Sequence, residues 1–176
     1  MKIGILREEK VPIDKRVPLS PNQCKRLIAQ YPSIALFVQS SNIRCFQDSE
    51  YENLGISIVE DISDCDILLG IKEVPISSLI ADKTYLFFSH AIKKQEHNRN
   101  LLQTLVKKNI TMLDYETIKD AKGKRLLGFG RFAGIVGTYN GLLTYGLKSE
   151  QYKLKAAHLC ENIEEMEREL QEMNLS

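Results

Sequence analysis

Short apolar strands alternate with segments of helical pattern along the first 120 residues, and this alternation is what most limits the fold. The predicted strands read KIGIL, IALFVQ, ISIVE, CDILLGI, TYLFFSH and ITMLDYE. One intervening helix, in VPLSPNQCKRLIAQYP, has Ser20 as its N-cap and a proline at its first helical position. Strands joined by helical crossovers pair in parallel and are covered on both faces. The sequence therefore predicts an α/β, Rossmann-like (flavodoxin-like), mostly parallel sheet with helices on both faces.

The character of the chain changes after residue 120, where glycine and small residues become frequent. We predict one Rossmann-like domain over residues 1–130, followed by glycine-rich and charged helices over residues 131–176. The last charged helix is expected to continue the chain as a linking helix. This helix has an apolar stripe of Leu159, Ile163, Met166 and Leu170. Such a stripe must cover a neighbouring face, a partner chain or another domain.

The segment GFGRFAG, residues 128–134, looks like the dinucleotide-binding pattern GxGxxG, but its third glycine comes one residue late. A dinucleotide fingerprint follows a buried strand, opens a helix and has an acidic residue about 20 positions later. The preceding AKGKRLL is not a strand pattern, so we assign no cofactor-binding residue here. Close packing of a helix from about Phe132 to Gly146 is the favoured interpretation, through glycines on one face, Gly134, Gly137 and Gly141.

Charge, hydropathy and cysteine spacing exclude several classes of protein. A net charge of +1 gives no reason to expect binding to nucleic acid or a membrane surface. No apolar run approaches the roughly 20 residues of a membrane helix. No CxxC spacing indicates a zinc site, so we predict no metal, free buried thiols and a cytoplasmic location. The cysteines are Cys24, Cys45, Cys65 and Cys160.

Two predicted strands each run into a side chain that can carry a proton. Lys72 follows DILLGI, and His90 follows YLFFS. Ligands of open parallel sheets bind beyond the carboxyl ends of the strands, so neighbouring strands would direct both side chains into one cleft. A lysine and a histidine there could exchange protons with a carbonyl or an amine. On local sequence alone, a solvated lysine and a helix-capping histidine are the favoured alternative.

Further cations gather near the predicted strand ends. Arginine is well suited to bind a carboxylate through two parallel hydrogen bonds. With a net charge near zero, a local excess of cations favours a small anionic ligand over a polymer. A solvated surface position is the simpler interpretation for Lys10, Lys15, Lys94 and Arg131. The remaining candidates of this group are Arg7, Arg16, Lys93 and Arg125.

Five blocks of sequence, in order, carry a resemblance to a known family. KIGILREEKVPIDKRVPLSPNQCKRL resembles the opening of the alanine dehydrogenase and pyridine nucleotide transhydrogenase family. GIKEVP, FFSHAIKKQEHN, LDYETIKD and FGRFAGIVG resemble, more narrowly, lysine-forming saccharopine dehydrogenases and lysine–oxoglutarate reductases. Alanine dehydrogenases share the KEP-like and YET-like pieces but usually lack the SH.IK.QE and FG.FAG patterns. The resemblance extends from Lys2 to about Gly146.

The resemblance implies the N-terminal catalytic domain of an NAD(P)-dependent oxidoreductase. Such an enzyme acts on the CH–NH bond formed between lysine and 2-oxoglutarate. In full-length members NAD or NADP is bound mainly by a following domain, so the chain is expected to be a truncated fragment or a natural single-domain relative, inactive alone. The alternatives are an alanine dehydrogenase-type domain and a non-catalytic small-molecule binding module. The choice of nucleotide, the amino acid and the oligomeric state stay open.

The resemblance also implies roles for individual residues. Lys72 and His90 match the acid–base pair, and Arg16 matches a binder of a substrate carboxylate. The implied substrates are lysine, 2-oxoglutarate or saccharopine, and the implied protein partner is a downstream NAD-binding domain or a second copy of the chain. The resemblance further matches four residues to cleft positions that hold substrate charges and tune the acid–base pair: Lys93, Gln95, Glu116 and Arg125.

Overall fold

The computed structural model describes residues 1–173, which divide into two compact units. The first unit, Met1–Leu127, contains six strands, and the second begins at Gly128. The roles assigned to residues 1–130 and 131–176 stay predictions. The strands are β1 (Lys2–Ile5), β2 (Ala35–Gln39), β3 (Ser57–Val59), β4 (Ile67–Leu69), β5 (Thr84–Phe87) and β6 (Thr111–Asp114).

Within residues 1–173, five α-helices and several single 3₁₀ turns connect and follow these strands. The first helix begins with a capping box, because Ser20 accepts a hydrogen bond from the Gln23 amide and the Gln23 side chain accepts one from the Ser20 amide. The predicted N-cap at Ser20 is confirmed. The helices are α1 (Pro21–Gln30), α2 (Asp48–Glu52), α3 (Arg99–Lys107), α4 (Gly130–Ser149) and α5 (Ile163–Gln171).

The six strands form one parallel sheet in the order β3-β2-β1-β4-β5-β6. Ile5 and Val38 face one side, where they pack in a cluster with residues of α1 and α2. Leu68 and Phe87 face the other side and pack with Leu101 of α3. Both faces are thus covered, and the predicted Rossmann-like fold is confirmed.

The strand order contains one reversal in the direction of travel. The chain moves outward from β1 through β2 to β3, returns to β4 beside β1, and then moves the other way. Ligands of such sheets bind beyond the carboxyl ends of the strands at this switch point. The loops that follow β1, β4, β5 and β6 therefore border the edge where a ligand is expected to bind.

The segment KKQEHNRNLLQTLVKKN has the apolar spacing of an amphipathic helix, but its α-helix begins only partway along it. Two 3₁₀ turns, Ala91–Lys93 and Glu96–Asn98, precede α3. His90 and Lys94 adopt left-handed backbone conformations, with φ of 55° and 52°. Because a right-handed helix cannot pass through such residues, the helix starts only at Arg99.

The second unit is built on α4 and α5. Met166 of α5 is buried against Tyr139 of α4, so the apolar stripe covers a neighbouring helix. Leu159 does not belong to this contact surface and is 58% exposed. The expected close packing at Gly134, Gly137 and Gly141 is wrong for this unit, because an added Cβ there would meet none of its described atoms within 4 Å. The tight contact lies instead at Gly146, where an added Cβ would come within 2.6 Å of three atoms of Tyr152. The helix α4 itself continues to Ser149, three residues beyond its predicted end.

The cysteines differ in their exposure. All four are free; Cys24 and Cys65 are buried and Cys160 is half-buried. Cys45 is exposed, so burial was wrongly predicted for it; it lies in an irregular segment after β2 rather than in a strand or helix. Within residues 1–173, no helix is both long and apolar enough to cross a membrane.

Candidate active site

An apolar cluster lies under the ends of three neighbouring strands. Ile71, Phe88 and Tyr115 follow β4, β5 and β6 and are buried against one another. The rings of Phe88 and Tyr115 meet edge to face, with centroids 5.1 Å apart. We call these three residues the apolar platform. Each is followed within two positions by a predicted site residue, so burial of the platform brings Lys72, His90 and Glu116 to one edge of the sheet.

His90 and Glu116 lie in a cluster of polar side chains at this edge. Nδ1 of His90 lies 2.9 Å from Oε2 of Glu116 and 3.2 Å from Nζ of Lys93. Oε1 of Glu116 lies 3.5 Å from Nζ of Lys93 and 3.5 Å from a guanidinium nitrogen of Arg125. A hydrogen on Nδ1 that donates to Glu116 leaves Nε2 as the ring nitrogen able to take up a proton.

Glu116 is the buried member of this cluster, and its side chain is 9% exposed. Burial raises the pKa of its carboxyl group, but the hydrogen bond and charge of His90 and the charge of Lys93 outweigh this effect. The net result is a pKa below the ordinary value. The carboxylate is therefore ionised near neutral pH and can accept a hydrogen bond from Nδ1 of His90.

A second buried pair ties the two loops of this cluster together. The Ser89 hydroxyl donates to Oδ2 of Asp114 and accepts a hydrogen bond from the Ala91 amide. Oδ1 of Asp114 accepts a hydrogen bond of 2.8 Å from the Glu116 amide. Because Ser89 follows β5 and Asp114 ends β6, this pair fixes the His90 loop relative to the Glu116 loop.

Lys72 belongs to a neighbouring group on the β1 side. Its backbone amide donates to the carboxylate of Glu8, in the loop after β1. The hydrogen bond from Arg16 is the main reason that the pKa of Asp14 lies below its ordinary value; burial opposes this shift, and the charge of Lys72 adds to it. Nε of Arg16 lies 2.9 Å from Oδ1 of Asp14. Thus Arg16 and Lys72 share one electrostatic neighbourhood.

The charge of His90 acts on Glu73, the residue that follows Lys72. Burial raises the pKa of Glu73, next to Lys72, but hydrogen bonding from Lys10 and the charges of Lys10 and His90 outweigh it and lower that pKa. The strand ends themselves are paired, since the Phe88 amide donates to the Ile71 carbonyl over 3.0 Å. Lys72 and His90 are therefore carried by adjacent strand ends.

The predicted site residues Lys72 and Gln95 line two separate cavities of the first unit. Lys72 lines a cavity formed by the loops after β1, β3 and β4, and His90 is not among its lining residues. Gln95 lines a separate open groove with Asn98 and Arg99. Direct contacts thus join His90, Lys93, Glu116 and Arg125, whereas Lys72 lies on the adjacent strand end and Gln95 in a separate groove.

Several polar residues of this edge were missed by sequence reasoning. Glu8 and Asp114 are buried charged residues, and Ser89 is fully buried. Each lies directly at or after the end of a strand, which is the signal that could have identified it. Asp14 was missed although it stands two positions from Arg16.

We predict that Asp14→Asn lowers stability by about 1 kcal/mol at pH 7, because hydrogen bonds to a charged partner are lost. The folded-state pKa of Asp14 lies below the ordinary 3.8. Its contribution is therefore present above that ordinary value and is lost as the pH falls through the lowered pKa. Urea unfolding of both forms between pH 7 and pH 2.5 measures the difference. A difference that stayed constant over this range would contradict the prediction.

The GFGRFAG segment does not form a dinucleotide cradle. Its residues enter α4 at Gly130, and a bend rather than a strand precedes them. The nearest extended pairing upstream is a single antiparallel bridge between Lys119 and Arg125. Within the described residues, this segment therefore lacks the strand–turn–helix that a nicotinamide dinucleotide requires.

Comparisons with known proteins agree on one family and one fold. Residues 4–136 match the family described as alanine dehydrogenase/PNT, N-terminal domain. The mitochondrial α-aminoadipic semialdehyde synthase of Mus musculus is 38% identical over 83% of this chain, and saccharopine dehydrogenase [NAD(+), L-lysine-forming] of Yarrowia lipolytica is 29% identical over 81%. A solved L-alanine dehydrogenase superposes with a TM-score of 0.66, at 21% identity, over 86% of this chain and 42% of its own.

The matched segment is a small part of the relatives. It spans 16% of the Mus musculus protein and 40% of the Yarrowia lipolytica protein. The saccharopine dehydrogenase and the alanine dehydrogenase are oxidoreductases by name, and the name of the saccharopine dehydrogenase connects the matched segment to lysine metabolism and to NAD(+). The mitochondrial relative gives no support to a cytoplasmic location, which stays a prediction.

Proposed function

Because the chain belongs to the alanine dehydrogenase/PNT N-terminal domain family, we propose that it binds substrate and transfers protons in an amino-acid oxidoreductase. The proposed type is saccharopine dehydrogenase (L-lysine-forming) or lysine–oxoglutarate reductase, acting on the bond between lysine and 2-oxoglutarate. The observation that carries the proposal is the placement of Lys72 and His90 on adjacent strand ends above the apolar platform, with Glu116 on the imidazole.

The proposed chemistry needs a group that moves protons at each addition and elimination. When the lysine amine adds to the ketone of 2-oxoglutarate, the nitrogen loses protons and the departing hydroxyl gains one. Nε2 of His90 can take up and return a proton while Nδ1 keeps its hydrogen bond to Glu116. Lys72, on the neighbouring strand end, is the second proton carrier.

The cations around the pair suit a substrate with several carboxylates. Lys93 and Arg125 are about half exposed and approach Glu116 only to 3.5 Å, which leaves donors directed elsewhere. An arginine guanidinium offers five N–H donors, more than one carboxylate can use. We assign Arg16, Lys93 and Arg125 to substrate carboxylates, Glu116 to the imidazole, and Gln95 to a peripheral contact from its own groove.

A nicotinamide cofactor, NAD or NADP, would supply or accept the hydride of such a reaction. The described residues do not provide its dinucleotide cradle, so we propose that it is held mainly by another domain. The same observation favours one second candidate function, a small-molecule binding module without catalysis.

The deciding experiment uses the protein expressed from its complete reading frame. NADH and NADPH oxidation are measured with lysine plus 2-oxoglutarate, and in parallel with pyruvate plus ammonium. Calorimetry with saccharopine and with 2-oxoglutarate measures binding alone. Turnover with lysine plus 2-oxoglutarate supports the proposal, and turnover with pyruvate plus ammonium would assign the alanine dehydrogenase type. Binding without turnover by either nucleotide would support the binding module instead.

A further inference from the structure

The carboxylate of Glu8 holds the backbone from which Lys72 projects. Oε1 accepts a hydrogen bond of 2.6 Å from the Ile71 amide, and Oε2 accepts one of 2.9 Å from the Lys72 amide. Glu8 itself is only 8% exposed. Two oxygens of one side chain are thus matched to two consecutive backbone donors, immediately after β4.

These bonds continue the sheet where a strand runs out. The last backbone contact between the β1 and β4 segments is from the Leu6 amide to the Leu69 carbonyl, at 2.8 Å. On the other side, pairing with β5 continues through the Gly70 amide and the Ile71 carbonyl. The β1 side offers no further strand there, and the side chain of Glu8 supplies the acceptors instead.

We propose that Glu8 is the positioning residue for Lys72, acting through the backbone of Ile71 and Lys72. The inference rests on the proposed function, because it assumes that the ammonium group of Lys72 must be held in place. Proton transfer requires the donor and the acceptor to lie within hydrogen-bonding distance, so a small displacement of either one lowers the rate of the reaction. Anchoring the Lys72 amide fixes the point from which its flexible side chain starts.

The chemistry of the position favours glutamate specifically. A carboxylate presents two acceptor oxygens, whereas a glutamine of equal length presents one oxygen and one NH₂ donor. In Glu8→Gln the NH₂ group would face a backbone N–H, and one buried donor would lose its partner. Burial raises the pKa of Glu8, and the two backbone hydrogen bonds oppose that effect. We call the two hydrogen bonds from the Ile71 and Lys72 amides to Glu8 the clamp. The clamp favours the charged carboxylate, which burial disfavours.

Glu8→Gln tests this role, with Glu52→Gln as its matched control. Glu52 is an exposed glutamate of α2, so its substitution makes the same chemical change away from the strand ends. The first readout needs no turnover: trace acetylation by acetic anhydride, with mass spectrometry, measures the rate at Lys72 relative to the exposed Lys107. We expect this ratio to change by about fivefold in Glu8→Gln, the effect of about one lost hydrogen bond. Glu52→Gln should leave the ratio unchanged.

Kinetics on the complete protein provide the second readout. We expect kcat to fall by about tenfold to a hundredfold in Glu8→Gln, with a much smaller change in KM, because the proton carrier is displaced while substrate contacts persist. An altered acetylation ratio in a protein that shows no oxidoreductase activity would retain the positioning role and reject the proposed function. An unchanged ratio together with an unchanged kcat would overturn the positioning role.

Hydrogen exchange in the unaltered protein covers the case in which Glu8→Gln fails to fold. The Ile71 and Lys72 amides should be protected to the same degree as the Gly70 amide, which bonds to the Leu86 carbonyl. If both amides exchange as fast as exposed loop amides, the clamp does not exist in solution and the inference is rejected.

Discussion

His90→Ala should lower kcat of the proposed reaction by about 10² to 10⁴, the range that positioned acid–base groups contribute. The substitution removes the imidazole whose Nδ1 lies 2.9 Å from Glu116. It also removes Nε2, the nitrogen proposed to exchange protons with the substrate. KM should change far less than kcat, since Lys93 and Arg125 remain. Steady-state oxidation of NADH or NADPH with lysine plus 2-oxoglutarate measures the effect.

His97→Ala is the matched control for this prediction. His97 is an exposed histidine in the turn Glu96–Asn98, seven residues along the same loop. Its substitution should leave kcat within about twofold of the unaltered protein, as expected for a surface position. A rate in His90→Ala as high as that of His97→Ala would remove His90 from the mechanism.

The fold was predictable because its signals are local and repeated. Each buried strand of a parallel sheet reads as an apolar run, and a crossover must separate it from the next. The positions of Lys72 and His90 at strand ends followed from the same pattern. Their adjacency followed only from the order of β4 and β5, which the structure supplies.

The parts that sequence reasoning missed depend on contacts between distant segments. Glu8 and Ile71 are 63 positions apart, and Ser89 and Asp114 are 25 apart. A glutamate after a strand looks like a solvated charge until the chain that covers it is known. The left-handed conformations of His90 and Lys94, which delay the start of α3, leave no clear mark in the sequence either.

The site also depends on the core directly beneath it. Phe87 is fully buried, packs edge to face on Tyr85 with centroids 6.2 Å apart, and is followed at once by Phe88 of the apolar platform. Its partner across the sheet is Asp114, which holds the Glu116 amide. A loss of packing at Phe87 should therefore reach both loops that form the His90 cluster.

Phe87→Ala should lower the free energy of unfolding by about 3–5 kcal/mol, the cost of emptying a fully buried aromatic site. Phe132→Ala is the matched control, because Phe132 is 54% exposed and the same atoms are removed. Its effect should stay within about 0.5 kcal/mol, as is usual at the surface. Urea unfolding followed by circular dichroism measures both. Equal losses in the two variants would mean that the sheet core does not support the strand ends in the way described, and the link from packing to His90 would fail with it.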